Sequence, residues 1–497
     1  MNTGRWRWGA RLALVAGLIA AIVILLNGAV SAATPYVSEL PIVKAFVPPT
    51  VTPTVTPTVT PTVTPIATPT PSATPSPTSP TDWPQVQRDP QHTGYSPETL
   101  GTNFQVAWTY PFQPERVYPG TQAIVYAGRV YVGTEMGNLY AINAGTGAGA
   151  GSKAWSYAVN SPIMNSVAAD GGKIFFGAMD GAVYALDSTT GTLIWKSQLS
   201  DWLGFSTAPV VADSKVMLGG RNGVFYALNP ADGSVLWSFD AKAPILMTAA
   251  YDQGKVIFTT NDMYVYALNT SDGTQAWRSA KIPGRAFKDF YPVITQGRVL
   301  LRPFTQGRLA PSDFSDAAQD AALASYDANP SAYQLSLFVL DEATGVEDPA
   351  IIHWDVQTMD GPAAPPCVDR DGLIIQPIVQ QGGWQGGWGR FDLSTRKLVQ
   401  ALDDGTGAGY GNTDETYVNS CSQNLVLVFH GNEKMPINAG YQGIFDLSAH
   451  RWSEVPGGLR SLQLATQTQG GGGNAPSISN GMVYHIAQHE LVARTTK

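Results

Sequence analysis

The sequence has 497 residues, of which 51 are glycine, 36 are proline and only 14% are charged, against roughly 25% charged residues in an ordinary globular chain. This composition excludes a helical or coiled-coil protein and favours sheets joined by turns. The net charge of -8 argues against a nucleic-acid partner, because such proteins carry a basic face that neutralises phosphate. Two cysteines are too few for a disulfide-built scaffold, so stability must come from a buried core.

Residues 1–33 carry the pattern of an export signal. Three arginines up to Arg11 precede an apolar run at residues 12–26, and small residues follow at 31–33. Cleavage after about Ala33 makes the protein secreted, whereas retention of the segment anchors it in the membrane with its arginines inside. Either outcome places the body outside the cytoplasm, in the envelope or at the surface of a bacterial cell.

Residues 34–81 are predicted to be a disordered stalk. From residue 48 onward the segment is nearly all proline, threonine, valine and serine, with Val-Thr-Pro-Thr repeating from Val51. Regular prolines block helix and sheet hydrogen bonding and favour polyproline II, so the segment can reach on the order of 100 Å. Its threonines are candidates for O-glycosylation.

Residues 82–497 are predicted to form one domain built from a repeat. The repeated frame is apolar-Tyr-Ala-apolar-Asp/Asn, three residues, Gly, three residues, Trp, as in residues 183–195, 225–237 and 265–277. The alternation suits a strand, the Asp or Asn caps a turn and the glycine supplies a positive φ. The anchors are spaced by 44, 42, 40, 72, 51 and 54 residues, at Asn143, Asp187, Asn229, Asn269, Asp341, Asp392 and Asp446.

Two further strand-like runs precede each anchor, so that each repeat supplies the four short strands of a β-propeller blade. Trp108 lies in a strand that comes before the first repeat, whereas the last unit, residues 475–495, stops after three strands. We therefore expect an all-β fold: an eight-bladed β-propeller of four-stranded antiparallel blades, closed by an N-terminal strand in the C-terminal blade.

The frame Ala185, Asp187, Gly191 and Trp195, with its copies, resembles the tryptophan-docking repeat of quinoprotein-type, PQQ-like propellers. Residues 82–98 also resemble the opening of many bacterial proteins of this group. The resemblance implies structural tryptophans that pack between neighbouring blades, and Gln400 departs from it at a tryptophan position. The tryptophans concerned are Trp108, Trp155, Trp195, Trp237 and Trp277.

In the quinone-binding dehydrogenases of this family, the resemblance implies two adjacent cysteines and calcium-binding acid and amide side chains that face the axis. Cys367 and Cys421 are 54 residues apart, so no catalytic residue is predicted. The sequence favours the non-enzymatic members: an exported scaffold that binds a protein or ligand without catalysis and without a cofactor. The first alternative is a PQQ- and calcium-dependent dehydrogenase, and the second is a carbohydrate-binding surface module.

Other candidate sites are weaker. His485 and His489 lie in a strand-like stretch that would hold them ~13 Å apart, so no metal site is predicted. Residues 403–412 have acid and glycine residues that could hold calcium, but a solvated turn is the favoured interpretation. Cys367 and Cys421 fall in the first strands of neighbouring blades, where they are either a disulfide or two separate buried thiols.

Three insertions, at residues 305–331, 380–387 and 431–442, are predicted to crowd one sector of one face of the ring, where binding groups are often placed. The first has the signals of a short helix between residues 312 and 326. The partner would be an envelope protein or a surface ligand bound by a monomer, unless the loops merely cap the channel. The ligand-face candidates are Trp384, Trp388, His430, Asn432 and Lys434.

Overall fold

The chain divides into two compact units, Met1–Ser72 and Ala73–Lys497, and the described residues lie in the second. The computed structural model describes residues 79–102, 104–200, 203–284, 286–287, 291–302, 337–348, 366–379, 386–402, 420–431, 440–447, 451–454, 475–487 and 489–496, with helical positions at 317, 320–321, 324–325 and 328.

The described strands follow one another at the spacing of the sequence repeat. Those of the N-terminal part are β1 (Phe104–Pro111), β2 (Ile124–Tyr126), β3 (Arg129–Gly133), β4 (Asn138–Asn143), β5 (Lys153–Ala158), β6 (Ala168–Asp170), β7 (Lys173–Gly177), β8 (Ala182–Asp187), β9 (Leu193–Gln198), β10 (Val210–Ala212), β11 (Lys215–Gly219), β12 (Val224–Leu228), β13 (Val235–Asp240), β14 (Ala250–Asp252), β15 (Lys255–Thr259), β16 (Val265–Asn269) and β17 (Gln275–Arg278).

The C-terminal part continues the pattern, with first strands of two or three residues. Its strands are β18 (Val293–Thr295), β19 (Arg298–Leu301), β20 (Phe338–Asp341), β21 (Cys367–Val368), β22 (Ile374–Val379), β23 (Gly386–Asp392), β24 (Lys397–Leu402), β25 (Ser420–Cys421), β26 (Leu425–Gly431), β27 (Gly440–Asp446), β28 (Arg451–Glu454), β29 (Ser477–Ser479), β30 (Met482–Ala487) and β31 (Glu490–Thr496).

The expectation of eight four-stranded blades is wrong. Within the described residues seven sheets have four strands, and β18, β19 and β20 form a sheet of three. After β20 the described residues form an isolated bridge, between Leu340 and Glu347. The sequence places Pro349 eight residues after the anchor Asp341, where the regular repeats have tryptophan. Proline has no N–H group to donate to a sheet ladder, so the sequence departs here from the pattern of the four-stranded repeats.

The two ends of the second unit meet in one sheet with the strand order β1-β31-β30-β29. β1 pairs antiparallel with β31, from Phe104 opposite Thr496 to Pro111 opposite Glu490. This pairing supplies the C-terminal sheet with a fourth strand from the other end of the domain. It also covers the edge of β31, which would otherwise present unpaired backbone groups.

Five tryptophans lie against the next sheet along the chain in the same way. Gly273, at φ +75°, lies so close to Trp237 that an added Cβ atom would be 2.7 Å from the indole ring. Glycine is therefore required both by the backbone conformation and by the packing. Each indole N–H also donates to a carbonyl of the next repeat: Trp108 to Gly145, Trp155 to Ser188, Trp195 to Pro230, Trp237 to Thr270 and Trp277 to Glu342.

The hydrophobic core lies between neighbouring sheets and not within any one of them. Phe225 of β12 and Phe258 of β15 stack with their ring centroids 4.5 Å apart, although they belong to different sheets. Burying each such ring is worth about 2–3 kcal/mol. The first strands of neighbouring sheets contact one another, as β6 does with β10 and β10 with β14, so these strands lie innermost.

Two further observations concern helices. Every described position from 317 to 328 is helical, which agrees with the predicted short helix of the first insertion. Within the part of the chain that the structure describes, no helix is both long enough and apolar enough to span a membrane.

Candidate functional site

The axis of the sheets is occupied by residues 82–98, here called the axial segment. Its backbone passes the innermost strand of one sheet after another and hydrogen-bonds to the middle or last residue of each. Backbone N–H groups donate from Val125 to Trp83, Ala169 to Pro84, Tyr251 to Pro90, Ile294 to Gln91, Val368 to Thr93 and Cys421 to Gly94, and Val211 donates to the Gln85 side chain.

This arrangement has a simple physical reason. The first strand of each sheet has one edge paired with the second strand, and its other edge faces the axis. Buried N–H groups on that edge need acceptors. The axial segment supplies them, and its own side chains are buried in return: Trp83 and Gln87 are fully inaccessible to solvent.

The axial segment contacts both ends of the innermost strands. The Gln87 N–H donates to Gln122 Oε1, just before β2, at 2.8 Å, and other residues of the segment reach the turn face, which carries the tight turns between first and second strands. Gln91 Nε2 donates to Asp252 at the end of β14, 3.0 Å away. Glu98 accepts the N–H groups of Asn480 and Gly481 in the turn after β29. The opposite end, the loop face, carries the connections that lead into the first strands.

At the loop face the innermost strands are tied to one another by uncharged polar groups. The Gln122 N–H donates to Ser166 Oγ, and the Ala208 N–H donates to Thr248 Oγ1. The half-buried residues that lead into these strands include Met164, Asn165, Ser206, Leu246 and Met247, here called the mouth. An apolar surface with a few polar groups is typical of small-molecule sites.

His92 is the buried titratable group of the axial segment. Its Nδ1 lies 2.9 Å from the Pro292 carbonyl, and its ring packs edge-on against Tyr291 at 4.6 Å. Burial lowers the pKa of His92 to about 4, because the charged imidazolium loses its hydration. The side chain is therefore a neutral donor at physiological pH.

We expect acid to destabilise the fold through His92. The unfolded chain binds a proton near pH 6.5 and the folded chain only near pH 4. The contribution of neutral His92 to stability is therefore fully present above about pH 6.5 and is lost as the pH falls through about pH 4. The loss is about 3 kcal/mol. His92→Asn keeps a donor, tolerates the φ of +62° and does not titrate. Its urea midpoint should fall less than that of the wild type between about pH 7.5 and pH 4.5. Equal falls would contradict the assignment.

Cys367 and Cys421 are joined by a disulfide that links β21 and β25, with their Cα atoms 6.3 Å apart. The bond lies beside the axial segment, since an added Cβ on Gly94 would be 3.2 Å from Cys367 Cβ. The sequence left open a disulfide or two separate buried thiols, and the structure contains the disulfide.

Loss of this bond should lower stability markedly. The cysteines are 54 residues apart, and a loop of that length is worth about 4 kcal/mol by the chain-entropy account. We expect Cys367→Ala/Cys421→Ala to show a lower urea midpoint than the wild type. Dithiothreitol is the control, because it should lower the wild-type midpoint and leave that of the double variant unchanged. Equal midpoints for the two proteins without reductant would contradict the prediction.

Two of the five predicted ligand-face residues lie in the described part of the structure. Trp388 lies in β23 opposite Pro377, and His430 lies in β26 opposite Tyr441, in different sheets. Trp384, Asn432 and Lys434 lie outside the described residues. The site that they were expected to form stays a prediction.

In the described ranges, no three His, Cys, Asp or Glu side chains lie close enough together to hold a metal ion. His489 Nδ1 contacts the Glu115 carbonyl at 2.8 Å. His485 is buried, and burial lowers its pKa to about 3. The candidate calcium turn at residues 403–412 lies outside the described residues.

Sequence reasoning missed the axial segment. Residues 82–98 were assigned only a resemblance to the opening of related chains, although two signals could have been used. Trp83 is a large apolar residue outside any repeat, and Pro84 and Pro90 interrupt the segment at positions where neither helix nor ladder can form. A channel lined by unpaired strand edges provides hydrogen-bond partners for the backbone of such a segment and buries its tryptophan.

Comparison with known proteins supports the repeat family. A family model described as outer membrane protein assembly factor BamB matches residues 105–206 and 179–329. Quinoprotein ethanol dehydrogenase of Pseudomonas aeruginosa is 33% identical over 105 residues, which are 19% of this chain and 16% of that protein. The dehydrogenase subunit of the quinone alcohol dehydrogenase of Gluconobacter oxydans is 32% identical over 133 residues, 23% and 17% of the two chains. The chain thus spans about a sixth of the length of these relatives.

Solved structures of low sequence identity share the fold. Quinohemoprotein alcohol dehydrogenase ADHIIG from Pseudomonas putida HK5 aligns with a TM-score of 0.58 and 13% identity, over 84% of this chain and 80% of that one. BamB from Moraxella catarrhalis aligns with a TM-score of 0.52 and 14% identity, over 79% and 99%. At these identities the likeness concerns the fold alone.

The comparisons correct the functional prediction. The scaffold without catalysis was expected chiefly because no adjacent cysteines exist, but the curated relatives are named quinoprotein alcohol dehydrogenases. The resemblance to PQQ-like repeats is confirmed, and the restriction to non-enzymatic members is not supported. One missing motif was too narrow a basis for excluding an activity.

Proposed function

We propose that this chain is an exported propeller of the quinoprotein alcohol dehydrogenase type, which oxidises alcohols with a bound quinone. The observation that carries the proposal is the sequence similarity to several proteins of that name, at 28–33% identity in four of them.

We place the proposed cofactor at the mouth on the loop face, because half-buried apolar and polar residues lead into the innermost strands there. There the uncharged hydroxyls and amides could hydrogen-bond a planar, polar ring, and the half-buried Met164, Leu246 and Met247 could pack against it. A quinone bound there would serve as the acceptor of the electrons taken from the alcohol.

The described residues do not fit a calcium site of the kind the family implies. Calcium prefers several carboxylate and carbonyl oxygens. Among the described residues, no three His, Cys, Asp or Glu side chains are grouped to hold an ion, and the buried groups at the loop face include the uncharged Gln122, Ser166, Thr207 and Thr248. No catalytic step is assigned to any described residue.

Reconstitution tests the proposal. The full chain is purified, incubated with PQQ and calcium, and assayed for binding stoichiometry and for dye reduction by primary alcohols. We expect one quinone per chain and alcohol-dependent reduction. Absence of quinone binding overturns the proposal.

A matched pair of variants locates the site. Ser206→Trp places a large ring in the mouth and should abolish quinone binding. Lys242→Trp lies on the same face after the outer strand β13, where the lysine side chain is 80% exposed, and should bind like the wild type. Equal quinone binding by both variants would show that the quinone does not bind at the mouth.

Export is part of the proposal. The apolar N-terminal run supports it, and so does the disulfide, because such bonds persist in oxidising compartments. N-terminal sequencing of protein recovered from the native cell distinguishes cleavage near Ala33 from a retained anchor. Recovery of the chain from the cytoplasm with free thiols would contradict export.

A further inference from the structure

The residue that follows the repeat anchor occupies the same place in successive sheets. Thr270 and Glu342 each accept the indole N–H of the preceding sheet's tryptophan through the backbone carbonyl, at 2.8 and 2.9 Å. Their backbone N–H groups donate to Gly254 and Gly297 in the turns of their own sheets. The two side chains therefore leave the backbone at equivalent points.

Both side chains reach an acid of the preceding sheet, but with different chemistry. The hydroxyl of Thr270 donates a hydrogen bond of 2.6 Å to the carboxylate of Asp213, just after β10. Glu342 instead brings a carboxyl group within hydrogen-bonding range of Asp252, at the end of β14. Two ionised carboxylates cannot make this bond, because neither has a hydrogen to donate.

The surroundings of Glu342 disfavour its charge. The residue is only 4% exposed, and its Oε1 has no hydrogen-bond partner in the structure. The charged groups that face it are Asp252, Asp341 of its own strand and Lys255 at the start of β15. Two of these three neighbours are negative, so Lys255 offsets only part of the repulsion.

We propose that Glu342 carries a proton in the closed ring and donates it to Asp252, so that the contact between β14 and the β18–β20 sheet is a pH-sensitive latch. The protonated carboxyl donates a hydrogen bond to an acid of the preceding sheet, as the Thr270 hydroxyl does one repeat earlier. Burial, with the charge of Asp252 added, raises the pKa of Glu342. The latch is complete below the ordinary glutamate pKa and is lost as the pH rises through the raised one.

The latch acts at the irregular joint of the ring, where the three-stranded sheet meets its regular neighbour β14–β17. Release of the proton to solvent leaves two facing carboxylates across this joint. Rising pH therefore loosens this joint selectively. The inference does not depend on the proposed quinone chemistry.

Infrared difference spectroscopy on the full chain tests the proton directly. The spectrum of Glu342→Gln is subtracted from that of the wild type at about pH 5.5, above the ordinary glutamate pKa. We expect the carbonyl band of a protonated carboxyl, which disappears on titration to higher pH. A difference spectrum with carboxylate bands alone at this pH overturns the proposal.

Two variants test the partner. Asp252→Asn removes the facing charge, so the carbonyl band should titrate at lower pH than in the wild type. An unchanged midpoint overturns the assignment of Asp252. Thr270→Val, the control from the preceding repeat, removes a hydroxyl donor without removing a titrating group, and its band should titrate as in the wild type.

Stability measurements give an independent readout. The urea midpoint of the wild type minus that of Glu342→Gln should decrease between about pH 5 and pH 8, because the amide keeps a donor without a charge and the contribution of His92 is common to both proteins. Thr270→Val should be less stable than the wild type at both pH values but show the wild-type pH dependence. A difference between the wild type and Glu342→Gln that does not change with pH overturns the latch.

Discussion

A chain that begins at residue 99 should fail to fold cooperatively, whereas a chain that begins at Ser79 should keep the fold. The first lacks the axial segment, and with it the acceptors for inner N–H groups of seven sheets. Water that enters the emptied channel can replace part of these bonds. It cannot replace the burial of Trp83 and Val86 or the covalent continuity that ties the sheets together.

The expected loss is at least about 5 kcal/mol, which equals the whole stability of many domains. Near-ultraviolet circular dichroism and urea unfolding of the two truncated chains are the measurements. The chain from Ser79 is the control, because it lacks the predicted export signal and nearly all of the predicted stalk but retains the hydrogen bonds of the axial segment. A cooperative transition of the shorter chain at the same urea concentration would show that the strand edges do not need this segment.

Replacement of one glycine under a docking tryptophan should cost far more than replacement of a turn glycine in the same sheet. Gly273→Ala places a methyl group 2.7 Å from the ring of Trp237, so the indole must move out of its packed position. Gly254→Ala meets no atom within 4 Å. The two glycines have nearly the same backbone conformation, with φ of +75° and +78°, so their backbone strain cancels in the comparison.

We expect Gly254→Ala to lose about 1 kcal/mol from the backbone strain alone. Gly273→Ala should lose about 2–3 kcal/mol more through overpacking at the contact between sheets. Urea unfolding monitored by tryptophan fluorescence measures both, and the emission of Gly273→Ala should shift as the indole is displaced. Equal stability of the two variants would mean that the tryptophan contact contributes nothing to the junction.

The axial segment and the docking tryptophans stabilise the ring in different ways. Each tryptophan joins its sheet only to the next one, so weakening one tryptophan contact destabilises one interface between sheets. The axial segment is one continuous backbone that hydrogen-bonds to many sheets, so its loss destabilises all of them.

Much of the fold followed from local patterns. The frame around Asp187, Gly191 and Trp195 specifies strand, turn and next strand within a few residues, so its copies predicted the regular sheets and their tryptophans. The irregular sheet was missed because the anchor Asp341 is present while the tryptophan position holds Pro349. Counting anchors alone does not register that this proline has no N–H group to donate to a ladder.

The sequence by itself determined the repeat, because periodicity of side chains and turn chemistry act over short distances along the chain. Only the tertiary structure decided where residues 82–98 lie, that Cys367 bonds to Cys421, and that Glu342 faces Asp252. Each of these depends on groups that are far apart along the chain, brought together by closure of the sheets around an axis. Local propensity cannot predict such contacts, because the packing between sheets brings these residues together.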